Sequence, residues 1–262
     1  MQDIGGAAAK SPAMAIDLRG RLRAREQLIA AWLDLGSPAS AELTAAAGFD
    51  AVIVDLEHGW GDEAAARTQI VAAGGPALVR TPGGGTQAGR MLDAGAAGVI
   101  YPRVATAAEA RELGRAVRYA GARGVSPFAR SNRWGAGGGA WRAEADAGVA
   151  CVIQIERASA LAEVDAIAAL DDVDALFMGP ADLSNDLGLP PDLGDPALRA
   201  AAETIAGAAA AHGKAAAIHL PGPERAQDLR SLGFSLLSCS FESQLLRAAS
   251  ERTSAALRDA AA

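Results

Sequence analysis

The run Ala51-Val-Ile-Val-Asp-Leu-Glu57 is apolar until its last residues. A helical span at Asp62–Ala73 follows, then a glycine at Gly74 and a second apolar run at Ala77–Thr81. A continuous apolar run is the pattern of a parallel strand covered on both faces. A glycine after a helix fits a left-handed C-cap. Together they make one β/α unit, and the unit repeats along the chain. The other strand-like runs are Leu28–Leu35, Gly98–Val104, Cys151–Glu156, Ala175–Met178, Ala215–Leu220 and Phe234–Ser240. Helical spans follow at Ala39–Ala47, Thr86–Ala94, Ala107–Tyr119, Ala158–Leu170, Pro196–Ala211, Pro223–Leu232 and Glu242–Ala261. Eight units in 262 residues predict an α/β fold, a single (β/α)8 TIM barrel over residues 16–262, opened by a short helix near Ile16–Arg25. Residues 1–15 read as a flexible N-terminus. An open doubly wound sheet is the alternative, but no dinucleotide-type glycine fingerprint follows the first strand. Two connections are long and read as loops: the second half of Val104–Cys151, and Ser184–Asp195.

Half of the residues are hydrophobic, 21% are charged and the net charge is −7. That balance excludes a disordered chain, and no apolar run reaches the length of a membrane span. An acidic chain without a Lys/Arg block is a poor partner for nucleic acid. Cys151 and Cys239 lie in apolar runs and read as buried thiols of a reducing compartment. With no signal-peptide core at the N-terminus, the expected location is cytoplasmic. About a quarter of the residues are Ala, and Lys10 and Lys214 are the only lysines. The four tryptophans are too dispersed to form a binding box.

In a barrel of this kind the chemistry sits where strands end, and here the polar residues gather at those ends. The second strand closes with Asp55-Leu-Glu57-His58 and the third with Arg80. The fourth closes with Tyr101-Pro-Arg103 and the fifth with Gln154-Ile-Glu156. The sixth runs into Met178-Gly-Pro-Ala-Asp182; the seventh carries His219, and the eighth Ser238 and Ser240. Alternation puts Asp55 with Glu57 on one face and Gln154 with Glu156 on another. Any single Glu here can simply pair with a nearby Arg. Four carboxylates converging on one mouth, however, call for a cation, and oxygen ligands suit a hard divalent metal. Glu156 and Asp182, on adjacent strands, are the candidate ligands. His58 is a candidate acid/base. His212, just before Gly213, reads as a helix C-cap, and His219 faces either the mouth or the helix layer. The glycines Gly83–Gly85 before a helix are a weak phosphate-cradle signal.

The strings Asp50-Ala-Val-Ile-Val-Asp-Leu-Glu-His-Gly59, Leu78-Val-Arg80, Val152-Ile-Gln-Ile-Glu156 and Met178-Gly-Pro-Ala-Asp-Leu-Ser184 resemble the successive motifs of the HpcH/HpaI aldolase family. These are class II, metal-dependent pyruvate aldolases of the 4-hydroxy-2-oxoheptanedioate and 2-dehydro-3-deoxyglucarate type. The resemblance runs from about Ala30 to Arg247. It implies a barrel of the phosphoenolpyruvate/pyruvate-domain type, with Mg2+, Mn2+ or Co2+ held by Glu156 and Asp182. Arg80 would bind the keto or enolate oxygen. His58 would act as acid/base with Asp93 as its orienting carboxylate, and Asp55 and Glu57 would hold water on the metal. Gln154, Gly179, Pro180, Ala181, Arg123 and His219 would line the substrate. The resemblance also implies a homo-oligomer, a trimer or hexamer, in which Asp93 and the loop 121–130 act across a subunit boundary. Leu56, Arg103, Ser126-Pro127-Phe128 and His219 depart from the family pattern, and they touch acceptor selection more than enolate formation.

The reaction implied is cleavage or formation of a 4-hydroxy-2-oxo acid to give pyruvate and an aldehyde. Forming an enolate at neutral pH needs either a lysine Schiff base or a Lewis acid. Lys10 lies near the terminus and Lys214 opens the seventh strand, at the wrong end of a barrel, so the metal route is favoured. A CoA-thioester lyase of the citrate or malyl-CoA type, and a non-catalytic metabolite-binding barrel, are the alternatives.

Overall fold

The computed structural model describes residues 17–260. The expected flexible segment 1–15, and Lys10 with it, lie outside the described residues. Eight parallel strands pair in chain order and β8 closes on β1: β1 (Leu28–Leu33), β2 (Ala51–Asp55), β3 (Ala77–Arg80), β4 (Gly98–Tyr101), β5 (Ala150–Ile155), β6 (Ala175–Met178), β7 (Ala215–Leu220) and β8 (Phe234–Phe241). The chain is a (β/α)8 barrel. Twelve helices are described: α1 (Leu18–Arg23), α2 (Pro38–Ala46), α3 (Glu63–Ala73), α4 (Gly84–Ala94), α5 (Ala107–Val117), α6 (Trp141–Gly148), α7 (Ala158–Ala162), α8 (Val164–Ala168), α9 (Pro180–Leu187), α10 (Pro196–Ala211), α11 (Ala226–Ser231) and α12 (Glu242–Asp259). Gly74 ends α3 in the left-handed conformation, as its placement predicted, and Gly95 ends α4 in the same way.

Alternation along each strand separates two cores. Inward positions build a barrel interior from Ala30, Trp32, Ile53, Leu78, Ile100, Val152, Phe177, Ala217 and Leu236. Outward positions such as Val54, Val79, Val99, Ile153, Leu176 and Ile218 meet the helix layer. Leu18 and Leu22 of α1 join the interior cluster and plug the end where the strands begin. At that same end Asp174 is fully buried. It accepts hydrogen bonds from Arg19 (2.9 Å), Arg23 (2.7 Å), Arg118 (2.7 Å) and the Cys151 N–H (2.9 Å). These charges tie α1 and the end of α5 to β5 and β6, and leave the strand-end mouth for chemistry.

Three local expectations change. The span expected as one helix at Ala158–Leu170 is two, α7 and α8. The break falls at Glu163, whose carboxylate accepts the Ala107 N–H at 2.7 Å and whose backbone leaves helical geometry. The expected helix Pro223–Leu232 opens as a 3₁₀ turn at Pro223–Arg225 before α11. Both segments expected as loops contain helix. The first holds a 3₁₀ turn at Arg130–Gly135 and then α6. The second begins inside α9, whose Pro180 at the first position and Gly188 in a left-handed C-cap are recognisable start and stop signals.

Candidate active site

Asp55 is the last residue of β2, and its Oδ1 accepts the N–H groups of Glu57 (3.0 Å) and His58 (3.3 Å), bending the chain sharply. The bend needs Gly59: a Cβ there would lie 2.2 Å from the Asp55 carbonyl oxygen. It brings Glu57 to the same arginine that Asp55 holds. Arg80 donates through Nε and Nη2 to the two oxygens of Asp55 (2.8 and 2.6 Å), lies 3.2 Å from Glu57 through Nη1, and stacks over Trp32 at 4.6 Å. A guanidinium has five N–H donors, so this clamp leaves two free and fixes where they point. Burial works against the Asp55 charge, but the hydrogen bonds and charge of Arg80 outweigh it and hold the carboxyl below its ordinary range. His58 stands apart, with its side chain 64% exposed and Nε2 3.8 Å from Glu57.

Across the mouth, β5 presents Gln154 and then Glu156, both buried. Glu156 Oε1 accepts the Arg103 N–H at 2.5 Å, a contact made by placing Arg103 at φ +59°. Glu156 Oε2 and Gln154 Oε1 are buried without a hydrogen-bond partner. Both side chains abut Gly179, where a Cβ would meet Oε2 at 2.8 Å and Gln154 Nε2 at 2.9 Å, so a side chain there would crowd both groups. Asp182 sits in the first turn of α9. Burial first, then the charges of Asp182 and Glu57, push Glu156 up to about 7 against the Arg103 N–H and Arg80.

A buried carboxylate with an orphan oxygen beside a second carboxylate is the donor set a hard divalent cation takes, and Glu156 with Asp182 fits one. Among the described residues no group of three or more His, Cys, Asp or Glu converges as a cage. Two protein oxygens would therefore leave the remaining positions to water and substrate.

The third part of the mouth comes from β7, β8 and β1. His219 faces the barrel interior, which settles the orientation left open by sequence. Its Nδ1 is 3.3 Å from Ser238 Oγ, and its ring meets Trp32 (6.2 Å) and Phe241 (5.2 Å) edge-on. Burial, with the charge of Arg80 added, lowers its pKa to about 4. Trp32 donates to Ser238 Oγ at 3.0 Å. Trp32 and Phe241 were not among the expected site residues, and Ser238 was noted only as a polar residue at a strand end. Dispersal in sequence hid Trp32, yet its inward parity on β1 was available as a signal.

Asp93 and Arg123 do not join this mouth within one chain. Asp93 on α4 accepts from Arg123 Nη2 at 2.8 Å, and the guanidinium stacks over Tyr119 at 4.2 Å. Pro180 and Ala181 begin α9 beside Asp182. Gly83–Gly85 open α4, with the Gly83 N–H given to Gln87. His212 caps α10 and pairs with Asp165 at 2.8 Å. Lys214 lies at the opposite end of the barrel, its ammonium on the carbonyls of Leu170 (2.8 Å) and Val173 (2.7 Å). Both cysteines are free; Cys151 is buried and Cys239 half-buried.

A family model described as HpcH/HpaI aldolase/citrate lyase matches residues 28–249. The chain belongs to this family. It is 37% identical to a hydroxypyruvate/pyruvate aldolase of Pseudomonas aeruginosa over 86% of this chain and 87% of that one. It is 34% identical to a 4-hydroxy-2-oxo-heptane-1,7-dioate aldolase of Salmonella arizonae over 89% and 91%. A crystal structure of an HpcH/HpaI aldolase/citrate lyase family protein from Burkholderia cenocepacia superposes with a TM-score of 0.86 at 31% identity, covering 92% of this chain and 98% of that one. As an HpcH/HpaI member with named aldolases over most of its length, the protein is a carbon–carbon lyase.

Proposed function

We propose that this HpcH/HpaI protein is a divalent-metal-dependent class II aldolase that cleaves or forms a 4-hydroxy-2-oxo acid, with pyruvate and an aldehyde as the other side of the equilibrium. The observation that carries the metal is the orphan oxygen of buried Glu156 beside Asp182. When bound there, a cation such as Mg2+, Mn2+ or Co2+ supplies Lewis-acid polarisation of the 2-oxo group. The chain's own residues do the rest. In cleavage His58 takes the proton of the C4 hydroxyl, the C3–C4 bond breaks, and its electron pair moves through C2 to the keto oxygen. The two free N–H groups of Arg80 donate to that oxygen as it gains charge, and the Asp55, Glu57 and Trp32 contacts keep them aimed during the step. Protonation at C3 then gives pyruvate. Gln154 and the Gly179–Ala181 turn line the oxo-acid end. Asp93, Arg123 and the loop 121–130 lie away from His58 in one chain, in keeping with service to a neighbouring subunit of a homo-oligomer.

The test is solvent deuterium exchange into the methyl group of pyruvate, followed by NMR. Exchange is expected with Mg2+, Mn2+ or Co2+ and lost on chelation; exchange that survives chelator overturns the metal-dependent reading. In parallel, His58→Ala is expected to lose aldol cleavage while still binding Mn2+ in a paramagnetic titration. An unchanged cleavage rate removes His58 from the reaction.

A further inference from the structure

The mouth divides into two arcs. The arc from β2 to β6 carries the carboxylates Asp55, Glu57, Glu156 and Asp182 together with Arg80, and it receives the oxo acid in the reaction proposed above. That leaves β7, β8 and β1 to face the aldehyde. This second arc is an aromatic wall of Trp32 and Phe241, stacked 5.6 Å apart, with His219 set edge-on to both. The strands β1, β7 and β8 themselves carry no Lys or Arg to meet a carboxylate tail. Arg80, whose charge reaches His219, is held by Asp55 and Glu57. The charges beyond are acidic: Asp34 takes the Ser243 hydroxyl and Glu242 takes the Leu35 N–H.

The hydrogen bonds around Ser238 decide what His219 shows to that wall. Ser238 Oγ accepts the Trp32 indole N–H at 3.0 Å and donates its own proton to the Ile218 carbonyl at 3.3 Å. That leaves one lone pair facing Nδ1 of His219 at 3.3 Å, and on this ground we assign Nδ1–H as the donor of that contact. The ring proton then sits on Nδ1, and Nε2, which has no partner among the described residues, presents a lone pair. The depressed pKa keeps the ring neutral at pH 7.

We propose that His219 selects the aldehyde, accepting through Nε2 a hydrogen bond from the hydroxyl of a short, uncharged 2-hydroxyaldehyde that packs against Trp32 and Phe241. This rests on the aldolase reading and adds the class of acceptor. The bond formed joins the methyl carbon of pyruvate to the aldehyde carbon; the methyl loses a proton and the carbonyl oxygen gains one. The product is a 4,5-dihydroxy-2-oxo acid, whose C5 hydroxyl is the group that His219 holds.

The experiment measures kcat/KM for pyruvate addition to glycolaldehyde, acetaldehyde and succinic semialdehyde with Mn2+ present. A site built to pair a hydroxyl rejects the analogue lacking it. Glycolaldehyde is therefore expected to exceed acetaldehyde by roughly tenfold or more, with the carboxylate-bearing semialdehyde poorest. In His219→Leu the glycolaldehyde-to-acetaldehyde ratio is expected to fall to about 1, and a ratio of rates is insensitive to a general loss of activity. If His219→Leu does not fold, His219→Gln supplies the ratio, expected to be intermediate. A wild-type ratio of 1 or below, a preference for the semialdehyde, or a ratio unchanged by substitution overturns the assignment. Pyruvate methyl exchange without aldehyde separates this from the aldolase reading. Exchange with no hydroxyaldehyde preference overturns only the role of His219, whereas no exchange with metal overturns the reading beneath it.

Discussion

Burial of His219 between Trp32 and Phe241 has a consequence for stability as well as for selection. Above about pH 6.5 the imidazole is neutral in both the folded and the unfolded chain and contributes no pH dependence. As pH falls from 6.5 towards 4, the unfolded chain takes up the proton while the folded one resists it, so stability declines across that window and the decline is complete below about 4. The loss is on the order of 1–3 kcal/mol. Urea unfolding at pH 7.0 and pH 4.5 is expected to show a larger loss for the wild type than for His219→Leu, and equal losses would remove His219 as the source. Asp55 has the opposite shift. Its carboxyl is held below the ordinary range by Arg80, so its contribution is present above that range and is lost only as pH falls through the lowered value. Most of these residues were legible in sequence because they end strands: Asp55, Glu57, Arg80, Gln154 and Glu156 fall where a barrel needs its chemistry. Trp32 was not, since a tryptophan inside an apolar run looks like core until its partner across the barrel is known, and Ser238 was legible only as a polar strand-end residue, not as the acceptor of the Trp32 indole N–H.

At the scale of elements, α1 is held at the strand-start end by charge as well as by Leu18 and Leu22. Its Arg19 and Arg23 meet Arg118, at the end of α5, on the single buried carboxylate of Asp174. Removing one partner of a buried ionic cluster leaves the others uncompensated, which costs about 3–5 kcal/mol. Asp174→Asn is expected to lower the urea midpoint accordingly while leaving the far mouth formed. A loss below about 1 kcal/mol would show that α1 is held by its leucines alone. The elements that sequence reading missed share a cause. The second half of Val104–Cys151 and the segment Ser184–Asp195 have the composition of loops, yet α6 forms in the first, and Pro180 and Gly188 mark the start and stop of α9, which runs into the second. In α7 and α8 a tertiary bond from Glu163 to the Ala107 N–H interrupts a continuous helical pattern, and no local propensity encodes it.

At the scale of the whole molecule, α12 is the anomaly. It runs eighteen residues, Glu242–Asp259, and Glu242 is its only buried residue. Leu245, Leu246 and Leu257 are exposed, and with Ala249 and Ala256 they fall on one side of the helix. A helix of that length is marginal in water without a surface to pack on. Together with the distance of Asp93 and Arg123 from His58, this supports the homo-oligomer of the proposed function. Sedimentation velocity is expected to give a mass that is a multiple of the chain, and Leu246→Glu with Leu257→Glu is expected to shift it towards the monomer. A wild-type monomer at micromolar concentration would remove the subunit-sharing role for Asp93 and the 121–130 loop.

The barrel itself was determined by sequence, because continuous apolar runs closed by glycine-capped helices admit few other packings once there are eight of them. The shortage of lysine, and the carboxylates placed at strand ends, were also visible there, since strand parity assigns a face to each residue from position alone. What tertiary structure decided is which of those groups meet. Closing β8 onto β1 brings Trp32, Ser238 and His219 together from positions far apart in the chain. The Gly59 bend turns Glu57 onto Arg80, and burial then sets the charge states of Glu156 and His219. Such contacts depend on the angle at which strands tilt and close, a property of the whole sheet that no single segment encodes.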